Sequence, residues 1–297
     1  MGLTGFGIQR TDELAFERTY PLSEFYMLSP CVWNEGATYH ILLRAVNRSP
    51  VAAEKVARIY YGVGKSALRF VMDDQPVIAP GPGDDDLDGC EDPTLATQDG
   101  CYHVYYSGWN QELLTSHLLL ATGDDIHRLQ KRGRVFTGSA RFRNAKEATI
   151  VPAADGSWRL FFEFAENDAS KIGVASASSL DGPWTFGEPP FCARPNAWDS
   201  WHLSTGPVMV VGSRPIMFYN GANRDAQWRI GWIEFDEDFR AVTARCGRPL
   251  ITPPEQRADA EDTDIAFAAS AVDEDGAIGL YYSIADRVVL RSLLTAV

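Results

Sequence analysis

The chain of 297 residues contains no run of about 18 apolar residues, so no membrane-spanning helix is expected. Cysteine is sparse. Cys31, Cys90, Cys101, Cys192 and Cys246 are odd in number, scattered and without a CxxC pair. That pattern signals neither zinc nor a redox motif and fits reduced thiols in a cytoplasm, the expected location. Cys90 is read as a small buried filler. The five histidines, His40, His103, His117, His127 and His202, show no metal-ligand spacing. The acidic run Asp84-Asp85-Asp86-Leu87-Asp88 lacks the spacing and the final Glu of a calcium loop, so a solvated acidic loop is expected there. Neither a metal nor a cofactor is expected. Positive charge is short as well. The 27 Lys and Arg stand against 40 Asp and Glu, a net charge of -13. This balance argues against nucleic acid or an anionic membrane as partner. It favours a neutral substrate, or an anion held by a few local cations. Residues 1–20 show no basic segment leading into an apolar one, so no signal peptide is expected. Nothing in the sequence speaks to oligomeric state.

Helical periodicity is missing too, except around residues 52–58. What recurs instead is a strand, a turn that is often Asp-Gly, an aromatic-rich strand and one or two further strands. The copies open near Ser29, Asp92, Glu147, Thr205 and Asp264, about 60 residues apart. Their second strands, 103–107, 159–164, 216–220 and 279–283 among them, are rich in aromatic and long apolar residues. Repeated hairpins without helices predict an all-β fold, a five-bladed β-propeller forming one catalytic domain over residues 1–297. The fifth copy is one strand short, and the segment around residues 5–10 is expected to supply it and close the ring.

In such a fold the first strand of every blade lines a central channel, so its opening residues converge. Asp92, Glu147 and Asp264 are carboxylates at equivalent positions. The ends of the second strands return to the same face with Arg44, Trp109, Glu163, Asn220 and Asp286, and His202 lies just before the fourth inner strand. Paired carboxyls serve glycoside cleavage, one protonating the leaving oxygen while another group activates the nucleophile. Crowding raises one carboxyl above its usual range and keeps an acid protonated.

At this point the residues resemble a known family. Gly89-Cys90-Glu91-Asp92-Pro93 is similar to the Glu-Asp-Pro-Arg segment of glycoside hydrolase family 130, which contains β-mannoside phosphorylases and β-1,2-mannosidases. Leu42-Leu43-Arg44-Ala45, Lys146-Glu147-Ala148 with Pro152, the turn from Ser176 to Trp184, Ser204-Thr205-Gly206-Pro207 and the run from Tyr281 to Asp286 resemble further segments, in the family's order. The resemblance implies a five-bladed propeller and cleavage with inversion. It makes Asp92 the general acid, acting through a sugar hydroxyl. It makes Arg44 a contact to the sugar and sets Lys146 near the sugar or phosphate.

Two departures stand out. Thr94 replaces the family's Arg, and Asn220 replaces its His. A phosphate site short of two such groups, with Glu147 and Glu163 nearby, predicts hydrolysis of a β-linked, manno-configured glycoside. In that reading Asp92 is the acid, Glu163 or Glu147 the base, and Asp264 a modulator or hydroxyl ligand. Arg44, Trp109, Lys146, His202, Asn220 and Asp286 bind the sugar. The alternative is phosphorolysis on the same scaffold, with inorganic phosphate held by Lys146 and by Arg58, Arg141, Arg143 or Arg224. A third reading, from another class, is a non-catalytic propeller that binds carbohydrate.

Overall fold

A computed structural model describes residues 5–137, 141–142, 144–254 and 263–297. Arg143 lies outside them. The fold is all-β, and no α-helix occurs among the described residues. The stretch with a weak helical period holds only a one-turn 3-10 segment, Ala52–Glu54, before the next strand begins.

β1 (Phe6–Glu13) and the short β2 (Ala15–Glu17) open the chain. The first meander is β3 (Tyr26–Glu35), β4 (Thr38–Val46), β5 (Ala57–Ser66) and β6 (Arg69–Ile78), with β2 added parallel to the outer β6. The second is β7 (Gly89–Gln98), β8 (Cys101–Asn110), β9 (Thr115–Gly123) and β10 (Gln130–Arg134). A single parallel pairing, Ala57 with Gly89, joins these two into one nine-stranded sheet. The third is β11 (Lys146–Pro152), β12 (Trp158–Glu166), β13 (Ala169–Ala177) and β14 (Thr185–Gly187).

The fourth meander is broken across two small sheets. Its segments are β15 (His202–Ser204), β16 (Val208–Val211), β17 (Arg214–Met217), β18 (Asn220–Ala222), β19 (Trp228–Ile230), β20 (Ile233–Phe235) and β21 (Val242–Arg245). The break falls at Thr205-Gly206-Pro207. There the chain runs so close to the next strand that a Cβ on Gly206 would collide with the Phe218 carbonyl. The fifth is β22 (Ala266–Glu274), β23 (Ala277–Ile284) and β24 (Val288–Ala296). β1 completes it by pairing antiparallel with β24, so the N-terminal segment supplies the missing strand as expected.

The second strand of each meander is buried on both faces because successive side chains enter different cores. On β8, Val104 and Tyr106 pack with Leu42 and Ile59 of the first meander, while Tyr105 packs with Leu160 and Phe162 of the third. On β12, Phe161 turns to the fourth meander and meets Ile216 and Phe235. On β23, Leu280 and Tyr282 face the fourth, while Tyr281 joins Ile41 and Leu43 of the first. Each sheet therefore packs on the next and the fifth on the first. Each fully buried Phe or Leu contributes roughly 1.5–3 kcal/mol to that packing.

One loop departs from expectation. The acidic run forms a short 3-10 turn, Asp84–Asp86, and Asp86 is buried rather than solvated. Its carboxylate accepts from Tyr106 Oη (2.9 Å), Lys131 Nζ (2.5 Å) and Cys90 Sγ (3.4 Å). Asp85 pairs with Arg134. The run is a structural clamp under the second meander.

Candidate active site

The inner strands carry a repeated irregularity. The β3–β4 ladder slips between Leu28 and Cys31, the β7–β8 ladder between Glu91 and Thr94, and the β11–β12 ladder between Lys146 and Ala148. At each slip one non-glycine residue takes a left-handed conformation: Ser29 (φ 51°), Asp92 (φ 49°) and Glu147 (φ 47°). A bulge re-aims a side chain, and a left-handed residue of this kind stores about 1–3 kcal/mol of strain. Three such residues at equivalent positions aim a hydroxyl and two carboxyls at one place. Strained backbone recurring in register is the mark of a site rather than of a loop.

They meet at a cavity of about 160 Å3, where Arg44, Lys146, Glu163, Trp228, Phe267 and Asp286 join them. Asp92 is buried and accepts from Ser29 Oγ at 2.5 Å and from Arg44 Nη1 at 3.1 Å. Arg44 Nη2 donates to Glu91 at 2.7 Å, so one guanidinium ties two carboxylates together. Its Nε is buried with no partner among the described residues. Lys146 Nζ lies 3.3 Å from the buried Glu163, which faces it across the β11–β12 ladder. Glu147 takes its backbone position from an N–H bond to Ser107 Oγ (3.1 Å).

Asp92 and Glu147 line the same cavity, and each carboxyl shifts the other's hold on its proton. Burial pushes Glu147 well above the usual carboxylate range, helped by the charges of Asp92 and Glu163. Burial also raises Asp92, but Arg44, the Ser29 hydroxyl, the Glu147 proton and Lys146 outweigh it and hold Asp92 below its ordinary value. The crowding expected from the sequence is present. Of the two, Glu147 is the carboxyl biased to keep a proton and Asp92 the one biased to the anion. Lys146 is held above its usual range, chiefly by Glu163, and stays cationic.

His202 borders this group. Its Nδ1 accepts from the Ser170 N–H at 3.0 Å, which leaves the proton of the neutral ring on Nε2. Its ring stacks on Trp228 at 5.6 Å, and burial lowers its pKa.

Besides His202, three expected residues stand apart from the cavity lining. Asp264 is bound to Arg229 (2.7 Å) and Gln227 (2.8 Å). Trp109 directs its Nε1 to Gln111 on the surface. Asn220 is fully buried and spent on the backbone, donating to Thr205 and Ala268 carbonyls and accepting from the Ala268 N–H. Thr94 likewise donates to the Ala148 carbonyl at 2.7 Å, joining β7 to β11. Of the arginines considered for phosphate, Arg224 lies over the Trp201 ring and Arg58 donates to the Val56 carbonyl. Arg141 lies over Phe142.

Sequence reasoning missed Trp228, Phe267, Ser29 and Ser283 as lining residues. Ser29 had a signal: it opens the first copy where Asp92 and Glu147 open theirs. Ser283 Oγ accepts from the Ser29 N–H at 3.0 Å and so holds the first bulge.

No family model matches the chain. In sequence it is 25% identical over 274 residues to the 1,2-β-oligomannan phosphorylase of Thermoanaerobacter sp. strain X514, covering 89% of each. The β-1,2-mannobiose phosphorylase of Listeria innocua, solved with β-1,2-mannobiose, shares the fold with a TM-score of 0.74 at 17% identity, over 97% of this chain and 91% of that one. A further structure, from work describing family 130 glycoside hydrolases that target β-1,2 mannosidic linkages in Candida mannan, matches with a TM-score of 0.78 at 20% identity, over 95% and 94%. With the ordered motifs around Arg44, Asp92, Lys146 and Tyr281, these matches make the chain similar over most of its length to enzymes of glycoside hydrolase family 130, which cleave glycosides with water or with phosphate.

Proposed function

We propose that the chain is a five-bladed propeller that cleaves β-linked mannosides with inversion, using inorganic phosphate as the acceptor. The observation that carries the cleavage reading is the convergence of Asp92 and Glu147, each in a left-handed bulge, on one cavity in which Arg44 braces Asp92. The five meanders, packed in sequence and closed by β1 on β24, support the propeller.

The sugar to be cleaved lies over Asp92, against Trp228 and Phe267. The unpartnered Arg44 Nε is a donor for one of its oxygens. As the glycosidic C–O bond breaks, its oxygen takes the proton held by the Asp92–Glu147 pair. In the family's manner, that proton passes through a sugar hydroxyl. A phosphate oxygen forms the new bond to the anomeric carbon from the opposite face, so a β-mannoside yields an α-mannosyl phosphate. Lys146, cationic and with its side chain 41% exposed, is the cation the site offers to phosphate, and the Nε2–H of His202 is a neutral donor beside it. The phosphorylase names of the sequence relatives in Thermoanaerobacter and Listeria weigh in the same direction, against the hydrolysis expected from Thr94 and Asn220.

A specific observation favours a second reading, hydrolysis. Thr94 and Asn220 are both bound to backbone, and Arg44 and Lys146 are both paired with carboxylates, so phosphate must compete for its cations. Glu163 then becomes the group that polarises water. Incubation with β-1,2-mannobiose, with and without phosphate, separates the two. Strict phosphate dependence with release of a mannosyl phosphate supports phosphorolysis. Free mannose as the sole product without phosphate overturns it in favour of hydrolysis.

A further inference from the structure

Adjoining the cleavage cavity is a second one of about 310 Å3, sharing Leu28, Arg44 and Asp286 with it. Because the two share these walls and the second is edged by the exposed Lys55 and Arg287, it forms a mouth that can take the leaving part of a substrate cleaved at Asp92. Its walls carry Tyr26, Lys55 and Arg287. Arg48 stands over the Tyr26 ring at 4.9 Å, and Arg287 approaches the same ring at 5.9 Å. Lys55 and Arg48 are exposed, and neither pairs with a carboxylate among the described residues.

This is unusual for the chain. Its net charge is -13 and it has only five lysines, of which Lys131, Lys146 and Lys171 are engaged by carboxylates. Among the described residues the opposing charges nearby are few, and Glu91 is taken by Arg44. Glu54 is bonded to Ser49, and Asp286 lies on the wall shared with the cleavage cavity, bonded to Thr263 at 3.3 Å. A neutral disaccharide gives no reason to gather cations at the mouth of an acidic protein. An aromatic face flanked by cations suits a sugar ring that bears an anion.

We infer that the mouth is a binding site for an anionic group, a phosphate or a carboxylate, carried by the leaving sugar of the substrate. The inference rests on the proposed cleavage at Asp92 for the direction in which the substrate lies. The same chemistry would also accept free phosphate, and the test separates the two sources.

The intact protein is titrated calorimetrically with mannose, mannose 6-phosphate and inorganic phosphate, as wild type, Lys55→Ala and Arg48→Ala. The expected result is that mannose 6-phosphate binds about tenfold more tightly than mannose, and that either variant removes most of this preference. If inorganic phosphate alone binds as tightly as mannose 6-phosphate and loses affinity in Lys55→Ala, the anion site stands with free phosphate as its occupant. Equal binding of mannose and mannose 6-phosphate, or a preference unchanged in both variants, overturns the inference. These readouts require no turnover. A protein that fails to cleave β-1,2-mannobiose therefore sinks the proposed reaction without deciding the anion site.

Discussion

Asp92 and Glu147 sit in left-handed bulges at the same place in successive sheets and face one cavity, where Glu147 is pushed well above the usual carboxylate range and Asp92 is held below it. In the proposed mechanism Asp92 is the acid and Glu147 the neighbour that keeps its proton. Glu147→Gln leaves Asp92 alone beside Arg44 and Lys146, both of which favour its anion. The alkaline limb of the kcat/KM profile is expected to move to lower pH by at least about one unit. An unmoved limb would show that Glu147 holds no part of the catalytic proton.

The same variant changes stability in a defined direction. A carboxyl with a raised pKa in the folded state is protonated equally in both states at low pH. Above its unfolded value the unfolded chain gains the charge and the folded protein does not, so the native carboxyl is a growing burden as pH rises. Glu147→Gln is expected to raise Tm by a few degrees at pH 8 and to leave it unchanged near pH 4. Thermal unfolding at the two pH values measures this, and a gain at pH 4 equal to that at pH 8 would contradict it.

Arg44 holds Glu91 and Asp92 at once, so removing it leaves carboxylates without their cation. Arg44→Ala is expected to destabilise the protein by about 3 kcal/mol, because the partners of a broken, largely buried pair remain behind. Denaturant unfolding tests this through a lowered midpoint at unchanged slope. Arg44→Lys keeps one charge but loses the fork that reaches both carboxylates, and falls between the two.

Asp264 gives the opposite expectation. Its carboxylate is paired with Arg229 and Gln227 and stands outside the cavity lining. Asp264→Asn is expected to change kcat/KM by less than about threefold and stability by less than about 1 kcal/mol. A hundredfold loss of kcat/KM would return Asp264 to the reaction.

These cases show what the sequence made legible. The repeat was readable because the second strands are continuous aromatic and apolar runs. Those runs exist because alternate residues of each strand fill two different cores, as Tyr105 and Tyr106 do. Asp92 and Glu147 stood out because they open equivalent copies, and Glu163 because its strand returns to the same face. Asp264 broke the pattern. It stands just before β22, where Trp228 and Arg229 pass alongside and take its backbone and carboxylate. Such a pairing between segments about 35 residues apart has no local signature. The left-handed turns were equally hidden, because Glu is not a residue whose sequence context announces positive φ. The division of the fourth meander followed from one close approach, Gly206 against Phe218, that periodicity does not encode.

The most direct test is proton NMR of the first-formed product from β-1,2-mannobiose and phosphate, for the wild type and Asp92→Asn. The account predicts α-mannose 1-phosphate from the wild type and a rate lower by about a thousandfold in the variant, with its fold intact. A first product of β configuration, or an Asp92→Asn enzyme as fast as the wild type, would contradict it.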